Sequence, residues 1–207
     1  MSRQLQMWQG EFGEAYTDRN VVDWKGLVAG WREMVGGLQL KRVLEVGCNR
    51  GHNLMALQEV LGGDTELVGV EPNPHARAIA SANSPRISVL SGDIFELPFD
   101  DGAFDLTLTG GVLIHIALAD LPRALAEMVR VSRRYVLACE YFAEEETAVP
   151  YHGHQDLLWK RNFLAHYQER HPELRLARQG YLEAWDRSTW WLLEKDAARA
   201  DGRQAAP

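Results

Sequence analysis

A glycine-containing turn follows the first strongly apolar run of the sequence. The run Val43–Val46 leads into Gly47 and Gly51 within VLEVGCNRGHNL, and helix-forming residues follow. Glycine lets the backbone approach a ligand closely, and the amino end of the next helix faces that ligand. A dinucleotide-binding turn carries glycine at its first, third and sixth positions, but here the last two are Asn49 and His52. Asparagine tolerates a left-handed backbone, so the turn is retained while NAD binding is disfavoured.

Two acidic residues follow the next two apolar runs. Glu71 comes twenty residues after Gly51, where a carboxylate can accept both hydroxyls of a ribose. Asp93 follows the third run, in SGDIFELPF, where it can accept an adenine amino group while Ile94 or Phe95 packs against the ring. The alternative at Asp93 is an Asx turn without a ligand. The turn and the two acids together predict a site for a nucleoside.

These residues are expected to lie at the ends of alternating strands and helices. We predict strands at Arg42–Val46, Leu67–Val70, Ile87–Leu90, Phe104–Thr109, Tyr135–Glu140, Leu174–Trp185 and Thr189–Leu193. We predict helices at Asn53–Leu61, Pro74–Ala82, Leu121–Val131 and Leu157–Arg170. This alternation is typical of an α/β fold with a parallel sheet of βαβ units.

The chain divides into a cap, one main domain and a tail. Residues 1–40 have helical spacing with many aromatic side chains and end at a glycine pair, so we predict an N-terminal helical cap. Residues 41–197 are predicted to form a Rossmann-like domain with a lid at 141–165. Residues 198–207 are predicted to be a flexible tail.

Composition restricts the classes of partner. The chain has 207 residues and a formal charge of −7, which suits one domain and disfavours nucleic acid as a partner. It has no apolar run long enough for a membrane helix, and its start lacks the pattern of a signal peptide. Two cysteines provide neither a disulfide framework nor a zinc set. We therefore expect a cytoplasmic protein with a small-molecule substrate, and the oligomeric state stays open.

Four segments carry a resemblance to a known family. They are FGEAYTDRN (12–20), LEVGCNRGHNL (44–54), GGVLIHI (110–116) and YHGHQDLLWKRNF (151–163). With these segments the sequence resembles the class I S-adenosylmethionine-dependent methyltransferases. More narrowly, it is similar to the pseudaminic acid biosynthesis-associated methylase family. The resemblance implies a seven-stranded sheet whose last strand is antiparallel, helices on both faces, and S-adenosylmethionine bound across the carboxyl ends of the strands.

The cofactor site predicted from these signals extends over most of the first half of the chain. Glu45 would be costly to bury without a partner, so it is predicted to meet backbone amides or the methionine ammonium of the cofactor. Arg19 is predicted to hold the methionine carboxylate, and Tyr16 to lie on the same helix face, the alternative being an exposed helix face without a ligand. The residues predicted to bind the cofactor are Tyr16, Arg19, Glu45, Gly47, Cys48, Asn49, Gly51, Asn53, Glu71, Pro72, Asp93, Ile94, Phe95, Thr109 and Gly110.

A second set of residues is predicted to meet the acceptor. His115 follows the fourth strand and is predicted to act as a general base or to orient the substrate, the alternative being a core histidine. The residues predicted to be catalytic are His115, Tyr16, Tyr151 and His154. The residues predicted to contact the substrate are Tyr141, Tyr151, His152, His154, Lys160 and Arg161, of which the last two are alternatively a solvated helix face.

The spacing of residues 151–156 raises one further possibility. His152, His154 and Asp156 form an H-x-H-x-D pattern that is compatible with metal ligands. No second cluster completes such a site in the sequence, so we favour a substrate lid and predict no metal.

The expected reaction is transfer of a methyl group to an oxygen or nitrogen of a sugar, an amino acid or a small acid in a specialised biosynthetic pathway. The sequence leaves open an enzyme that cleaves or cyclises the aminobutyrate arm of the cofactor and releases methylthioadenosine. It also leaves open a subunit that binds the cofactor without catalysis.

Overall fold

A seven-stranded sheet forms the centre of the computed structural model, which describes residues 2–196. Its strands are β1 (Arg42–Val46), β2 (Glu66–Glu71), β3 (Ser88–Ser91), β4 (Phe104–Gly110), β5 (Ser132–Glu140), β8 (Leu174–Leu182) and β9 (Ser188–Lys195). The strand order is β3-β2-β1-β4-β5-β9-β8. Neighbouring strands from β3 to β5 are parallel, whereas β9 runs antiparallel to both β5 and β8. The predicted α/β fold with an antiparallel last strand is confirmed.

Helices cover both faces of this sheet. They are α1 (Arg3–Gln9), α2 (Glu11–Arg19), α3 (Val28–Val35), α4 (His52–Leu61), α5 (Pro74–Asn83), α6 (Leu121–Val131) and α7 (Phe163–Arg170). Two separate apolar clusters result because side chains of β1 alternate between the faces. Leu44 packs in the cluster that contains residues of α6 and α7, whereas Val43 packs in the cluster of α3 and α4. The central strands are therefore buried on both sides, as the continuous apolar runs predicted.

The predicted N-terminal helical segment is divided into several short elements. Helices α1 and α2 meet at Gly10, which has an extended backbone, and a 3₁₀ turn at Trp24–Leu27 precedes α3. Asp23 caps that turn by accepting a hydrogen bond from the Lys25 N–H. Short elements allow this segment to change direction and to follow the edge of the sheet.

The prediction of a helix at Leu157–Arg170 is wrong for its first six residues. Strand β7 (Trp159–Lys160) pairs with β6 (Thr147–Ala148), and α7 begins only at Phe163. Asn162 fixes this start because its side chain accepts a hydrogen bond from the Ala165 N–H. The predicted strand Leu174–Trp185 also ends early, at Leu182, where the turn to β9 begins. The predicted tail at 198–207 lies outside the described residues.

Within residues 2–196 no helix combines the length and the apolar character that crossing a membrane requires.

Candidate functional site

The glycine turn adopts the conformation that its residues predict. Gly47, Asn49 and Gly51 have positive φ angles of 76°, 44° and 76°. A Cβ atom at Gly47 would lie 2.6 Å from Cγ2 of Val112, so this position has no room for a side chain. The prediction that Asn49 accepts a left-handed backbone is confirmed. At Gly47 the turn therefore exposes backbone at the carboxyl end of β1.

Glu45 is a buried acid with one satisfied oxygen. Its side chain is 1% exposed, and Oε1 accepts a hydrogen bond of 2.7 Å from Nδ2 of Asn53. Asn53 in turn accepts a hydrogen bond of 3.3 Å from the indole of Trp31. Within the described part of the chain, Oε2 is buried without a hydrogen-bond partner. Burial raises the pKa of Glu45 to about 8, although the Asn53 amide opposes this. A cationic group beside Oε2 would satisfy the atom and favour the ionised form.

Glu71 connects the glycine turn to the loop that follows β2. Its Oε2 accepts the Asn49 N–H and its Oε1 accepts the Asn73 N–H, each at 2.9 Å. Burial raises the pKa of this carboxyl, and the two backbone N–H groups oppose that shift. A carboxylate oxygen can accept more than one hydrogen bond, so both oxygens retain capacity for ligand hydroxyls.

Asp93 forms the Asx turn that was the alternative interpretation. Its Oδ1 accepts a hydrogen bond of 2.8 Å from the Phe95 N–H. The residue nevertheless lines the same cavity as Glu71, together with Ile94 and Phe95. The two interpretations are therefore compatible, because the Asx turn fixes a carboxylate that is still exposed to the cavity.

A cavity of about 430 Å³ lies along the carboxyl ends of the central strands. One part of its lining, here called the glycine-turn half, follows β1, β2 and β3 and comprises Gly47, Cys48, Asn49, Glu71, Pro72, Asp93, Ile94 and Phe95. The other part, here called the hairpin half, comprises Val22, Leu27, Trp31, Cys139, Tyr141, Ala184, Trp185, Asp186 and Ser188. Glu45 of β1 and Asn53 of α4 also line the cavity and are counted with the glycine-turn half.

The N-terminal cap closes over the cavity. Trp8 of α1 and Tyr16 and Thr17 of α2 line it. Asn73 donates a hydrogen bond of 2.9 Å from Nδ2 to the Trp8 carbonyl, and Asn49 donates one of 2.9 Å to Oγ1 of Thr17. The predicted covering role of this segment thus has a physical basis, since its backbone and side chains bond directly to the glycine-turn half.

His115 is both buried and in the cavity lining. Its Nδ1 lies 2.5 Å from the Leu157 carbonyl, and its ring centroid lies 4.6 Å from that of Trp8 and 5.3 Å from that of Tyr151. Burial lowers the pKa of His115 to about 4, and the bond to Leu157 opposes this. The carbonyl requires a proton on Nδ1, so the neutral ring has its lone pair on Nε2.

Most of the predicted cofactor residues line this cavity, and most of the predicted lid residues do not. Eight predicted residues lie outside its lining: Arg19, Gly51, Thr109, Tyr151, His152, His154, Lys160 and Arg161. Thr109 is fully buried, and Gly51 contributes the turn that starts α4. Arg19 is exposed, and its guanidinium carbon lies 5.4 Å from the ring centroid of Tyr16. This exposure agrees with the alternative interpretation of an exposed helix face, and contact with the cofactor stays a prediction.

Arg161 contradicts both interpretations made for it. It is 1% exposed and precedes α7, so it is neither a solvated helix face nor a group available to a substrate. Its Nε donates to Glu146 at 2.6 Å and its Nη1 donates to the Ile116 carbonyl at 2.7 Å. Arg161 therefore attaches the segment after β5 to the loop after β4. Lys160 lies nearby on β7, with its Nζ 5.7 Å from the ring centroid of Tyr141.

The predicted lid residues form an outer layer of rings. Tyr151 and His154 form an isolated backbone bridge, and His154 and His152 contact the ring of Phe12 at centroid distances of 5.7 and 6.2 Å. These residues support the cap from outside and do not line the cavity. Across residues 2–196 there is no group of three or more His, Cys, Asp or Glu side chains that could hold a metal ion.

Sequence reasoning missed several lining residues. Trp8, Trp31, Trp185, Asp186 and Ser188 line the cavity but belong to no recognised motif. The aromatic content of the first 40 residues was a usable signal for the first two. No local signal marked the β8–β9 turn, because only the sheet order brings it to the same edge as β1 and β4.

Comparison with known proteins agrees with this geometry. Residues 43–134 match the sequence profile of a family described as "Methyltransferase domain". In the search of solved structures, the chain is similar to the 1,6-didemethyltoxoflavin-N1-methyltransferase of Burkholderia thailandensis, whose structure contains S-adenosylhomocysteine. The TM-score is 0.70 at 16% identity, with 92% of this chain and 88% of that chain covered. The fold is that of a class I methyltransferase.

Relatives by sequence cover only part of this fold. The chain is 30% identical over 95 residues to the demethylmenaquinone methyltransferase of Shouchella clausii, covering 44% of this chain and 40% of that protein. It is 32% identical over 106 residues to an uncharacterized protein of Haemophilus influenzae, covering 49% and 42%. The chain thus spans less than half the length of these curated relatives. The matched methyltransferase segment includes the glycine turn, Glu71, Asp93 and His115.

Proposed function

We propose that this protein is an S-adenosylmethionine-dependent methyltransferase that acts on an oxygen or nitrogen of a small molecule. The observation that carries the proposal is the placement of three acids, Glu45, Glu71 and Asp93, around one cavity, with one oxygen of Glu45 buried and unpartnered. Such an oxygen needs a cation or a donor, and the cofactor carries an ammonium group. The matched methyltransferase segment and the methyltransferase neighbours support the same conclusion.

Each part of the glycine-turn half is assigned to one part of the cofactor. Glu71 would accept the ribose hydroxyls, and Asp93 the adenine amino group, with Ile94 and Phe95 against the ring. Glu45 would hold the ammonium. The backbone around Gly47 would lie against the ligand, since this turn exposes no side chain there. When bound, the cofactor supplies an electrophilic methyl group on a sulfonium.

The protein's own contribution is positioning and exclusion of water. Orientation of two reactants can provide about 7–11 kcal/mol of a barrier. The ring of Tyr16 would stabilise a cation by up to about 2 kcal/mol, and burial raises the pKa of its phenol to about 12, so it stays protonated. His115 presents an unprotonated Nε2 at neutral pH and would accept a hydrogen bond from the nucleophile. Its lowered pKa makes it a weak base, which favours orientation over proton removal.

Ligand binding by the purified chain tests the proposal. We expect S-adenosylhomocysteine to bind by calorimetry and to raise the melting temperature, while NADH does neither. A chain that shows no heat and no thermal shift with S-adenosylhomocysteine would refute the assignment. Product analysis with labelled S-adenosylmethionine and metabolite extracts then identifies the reaction. S-adenosylhomocysteine is expected, methylthioadenosine would indicate cleavage of the aminobutyrate arm, and absence of turnover with intact binding would indicate a binding subunit.

The acceptor is proposed to be a small molecule. The relatives and neighbours include methyltransferases named for demethylmenaquinone and for 1,6-didemethyltoxoflavin. The narrower resemblance to the pseudaminic acid biosynthesis-associated methylase family supports a role in a biosynthetic pathway.

A further inference from the structure

The hairpin half of the cavity is built around a tight turn between β8 and β9. Asp186 and Arg187 occupy its two central positions with φ angles of 51° and 59°, and the Ser188 N–H donates to the Trp185 carbonyl at 3.1 Å. Non-glycine residues adopt such angles rarely, and aspartate does so more readily than most. The turn places the Asp186 side chain in the cavity lining, where its carboxylate accepts a hydrogen bond from the Tyr141 hydroxyl.

The indole ring of Trp185 is partly exposed in this half, and the fully buried ring of Trp31 packs behind it. The ring centroids of Trp31 and Trp185 are 5.4 Å apart. A Cβ at Gly30 would lie 2.6 Å from the Trp185 ring, so glycine at this position makes room for the indole. Trp31 is also fixed from the other side by its hydrogen bond to Asn53. The lining between these groups is largely apolar and includes Val22, Leu27 and Cys139. This wall is therefore held in place before any ligand binds.

The charge of the hairpin half is negative. Among its lining residues in the described part of the chain, Asp186 is the acid, and no lysine or arginine is present. Three cations lie around it but outside the lining. Arg19 and Lys160 lie over the rings of Tyr16 and Tyr141, and Arg187 is 3.4 Å from Glu183. Arg50 also lines the cavity, but it belongs to the glycine turn and donates to the Thr17 carbonyl at 3.1 Å. An anionic acceptor would therefore approach Asp186 without a cation from the hairpin half to compensate.

We infer that the hairpin half takes an uncharged or cationic acceptor with an aromatic ring, which packs against Trp185 while an N–H or O–H group donates to Asp186. The inference rests on the proposed function, because it assigns the acceptor side of that site. The sequence left the acceptor open among sugars, amino acids and small acids. The inference restricts that choice to acceptors with an aromatic ring and disfavours acidic ones. Aromatic walls favour flat rings and cations, and a carboxylate favours donors.

Binding of three small molecules to the protein saturated with S-adenosylhomocysteine tests this inference. Tyramine and 4-hydroxyphenylacetate have the same phenol ring with opposite charges, and glucuronate is an acid without an aromatic ring. We expect tyramine to bind about fivefold to tenfold more tightly than 4-hydroxyphenylacetate, because Asp186 attracts one and repels the other at a partly exposed site. Glucuronate should bind weakest. Calorimetry measures all three.

Three variants test whether Asp186 and Trp185 cause the expected differences in affinity. Asp186→Asn removes the charge while asparagine tolerates the same backbone angle, so it should equalise the affinities for tyramine and 4-hydroxyphenylacetate. Glu183→Gln removes one charge from the same hairpin outside the lining and should leave the difference intact. Trp185→Leu should weaken both phenols similarly. S-adenosylhomocysteine should still bind each variant, and thermal unfolding verifies that each folds.

Three results would overturn the inference. They are 4-hydroxyphenylacetate or glucuronate binding as tightly as tyramine, no binding of either phenol at millimolar concentration, and an unchanged preference in Asp186→Asn. All three are read with S-adenosylhomocysteine bound. Loss of S-adenosylhomocysteine binding by the unmodified chain is a different result, and it would refute the proposed function itself.

Discussion

The two halves of the cavity differ in how the chain builds them. The glycine-turn half comes from residues 45–95, a continuous stretch in which each strand leads to a residue that lines the cavity. The hairpin half combines α3, the end of β5 and the β8–β9 turn, and its residues from Trp31 to Ser188 span more than 150 positions along the chain. The first carries two buried acids bonded to backbone or amide groups, whereas the second has indole rings and one exposed acid. The difference indicates that recognition of the cofactor and of the acceptor can vary separately.

Replacing Gly47 with alanine should break the glycine-turn half. The new Cβ would lie 2.6 Å from Val112 and the residue has a φ of 76°, so we expect loss of S-adenosylhomocysteine binding by about 100-fold or more. Gly62→Ala is the matched control, since Gly62 has a φ of 81° and nothing within 4 Å of its Cβ position. With a ψ of −178° this residue lies in a region that essentially only glycine occupies, so the variant should lose about 1–3 kcal/mol of folding free energy and keep its affinity. Equal affinity losses in the two variants would contradict the expectation.

Glu71→Gln should have the next largest effect. Glutamine keeps one oxygen, but its NH₂ group would face the N–H of Asn49 or Asn73, so the variant weakens both the loop and the ribose contacts. A hydrogen bond to a charged group is worth about 1.5–3 kcal/mol, so the dissociation constant of S-adenosylhomocysteine should rise about tenfold to 100-fold and the melting temperature should fall. Glu66 lies at the opposite end of β2 and is paired with Arg42 at 2.7 Å. Glu66→Gln therefore tests charge removal from the same strand, and calorimetry should find its affinity unchanged. A similar loss at both positions would argue against a ribose contact.

The pH dependence of binding should depend on Glu45. Burial raises the pKa of this carboxyl to about 8, so it is largely protonated at pH 7 in the free protein. Pairing with an ammonium requires ionisation, so binding should release a proton and the affinity should rise from pH 6 to pH 8 by up to about tenfold per unit. Glu45→Gln should remove this slope. A flat profile in the unmodified chain would place the ammonium elsewhere.

Thr17→Val should have the smallest effect and should isolate docking of the cap. Valine is close in shape to threonine but lacks Oγ1, which accepts a hydrogen bond of 2.9 Å from Nδ2 of Asn49. It also loses the bond from Oγ1 to the Gly13 carbonyl within α2. We expect dissociation of S-adenosylhomocysteine to accelerate about twofold to fivefold, from the roughly 0.5–1.5 kcal/mol of one hydrogen bond. Stopped-flow displacement measures the rate, and an unchanged rate would exclude a closing role for this contact.

Features that depend on residues close together along the chain could be predicted from the sequence, whereas features that depend on distant residues could not. The positions of Gly47, Glu71 and Asp93 in the cavity followed from adjacent apolar runs, because parallel strands place their carboxyl ends at one edge. The helix predicted at Leu157–Arg170 failed at its start because Trp159–Lys160 found a strand partner in Thr147–Ala148. Pairing with a distant segment overrides local helical spacing, and a single sequence does not reveal that partner.

Arg161 illustrates the same limit at the level of one side chain. A lysine–arginine pair after a polar segment indicates an exposed basic surface. In the folded protein the guanidinium is buried against Glu146 and the Ile116 carbonyl, which lie fifteen and forty-five positions away. Its partners come from two different loops, so its role depended on tertiary structure.

The sequence by itself determined where strands β1 to β4 lie along the chain. It also determined the left-handed glycine turn and the acids at the ends of β2 and β3. These are local properties, because backbone angles and the direction of parallel strands are set within a few residues. Tertiary structure alone decided that Trp31, Tyr141 and Asp186 share one wall and that the lid residues lie behind the cap. Such contacts arise when distant segments bury apolar surface together, and that packing depends on the whole fold.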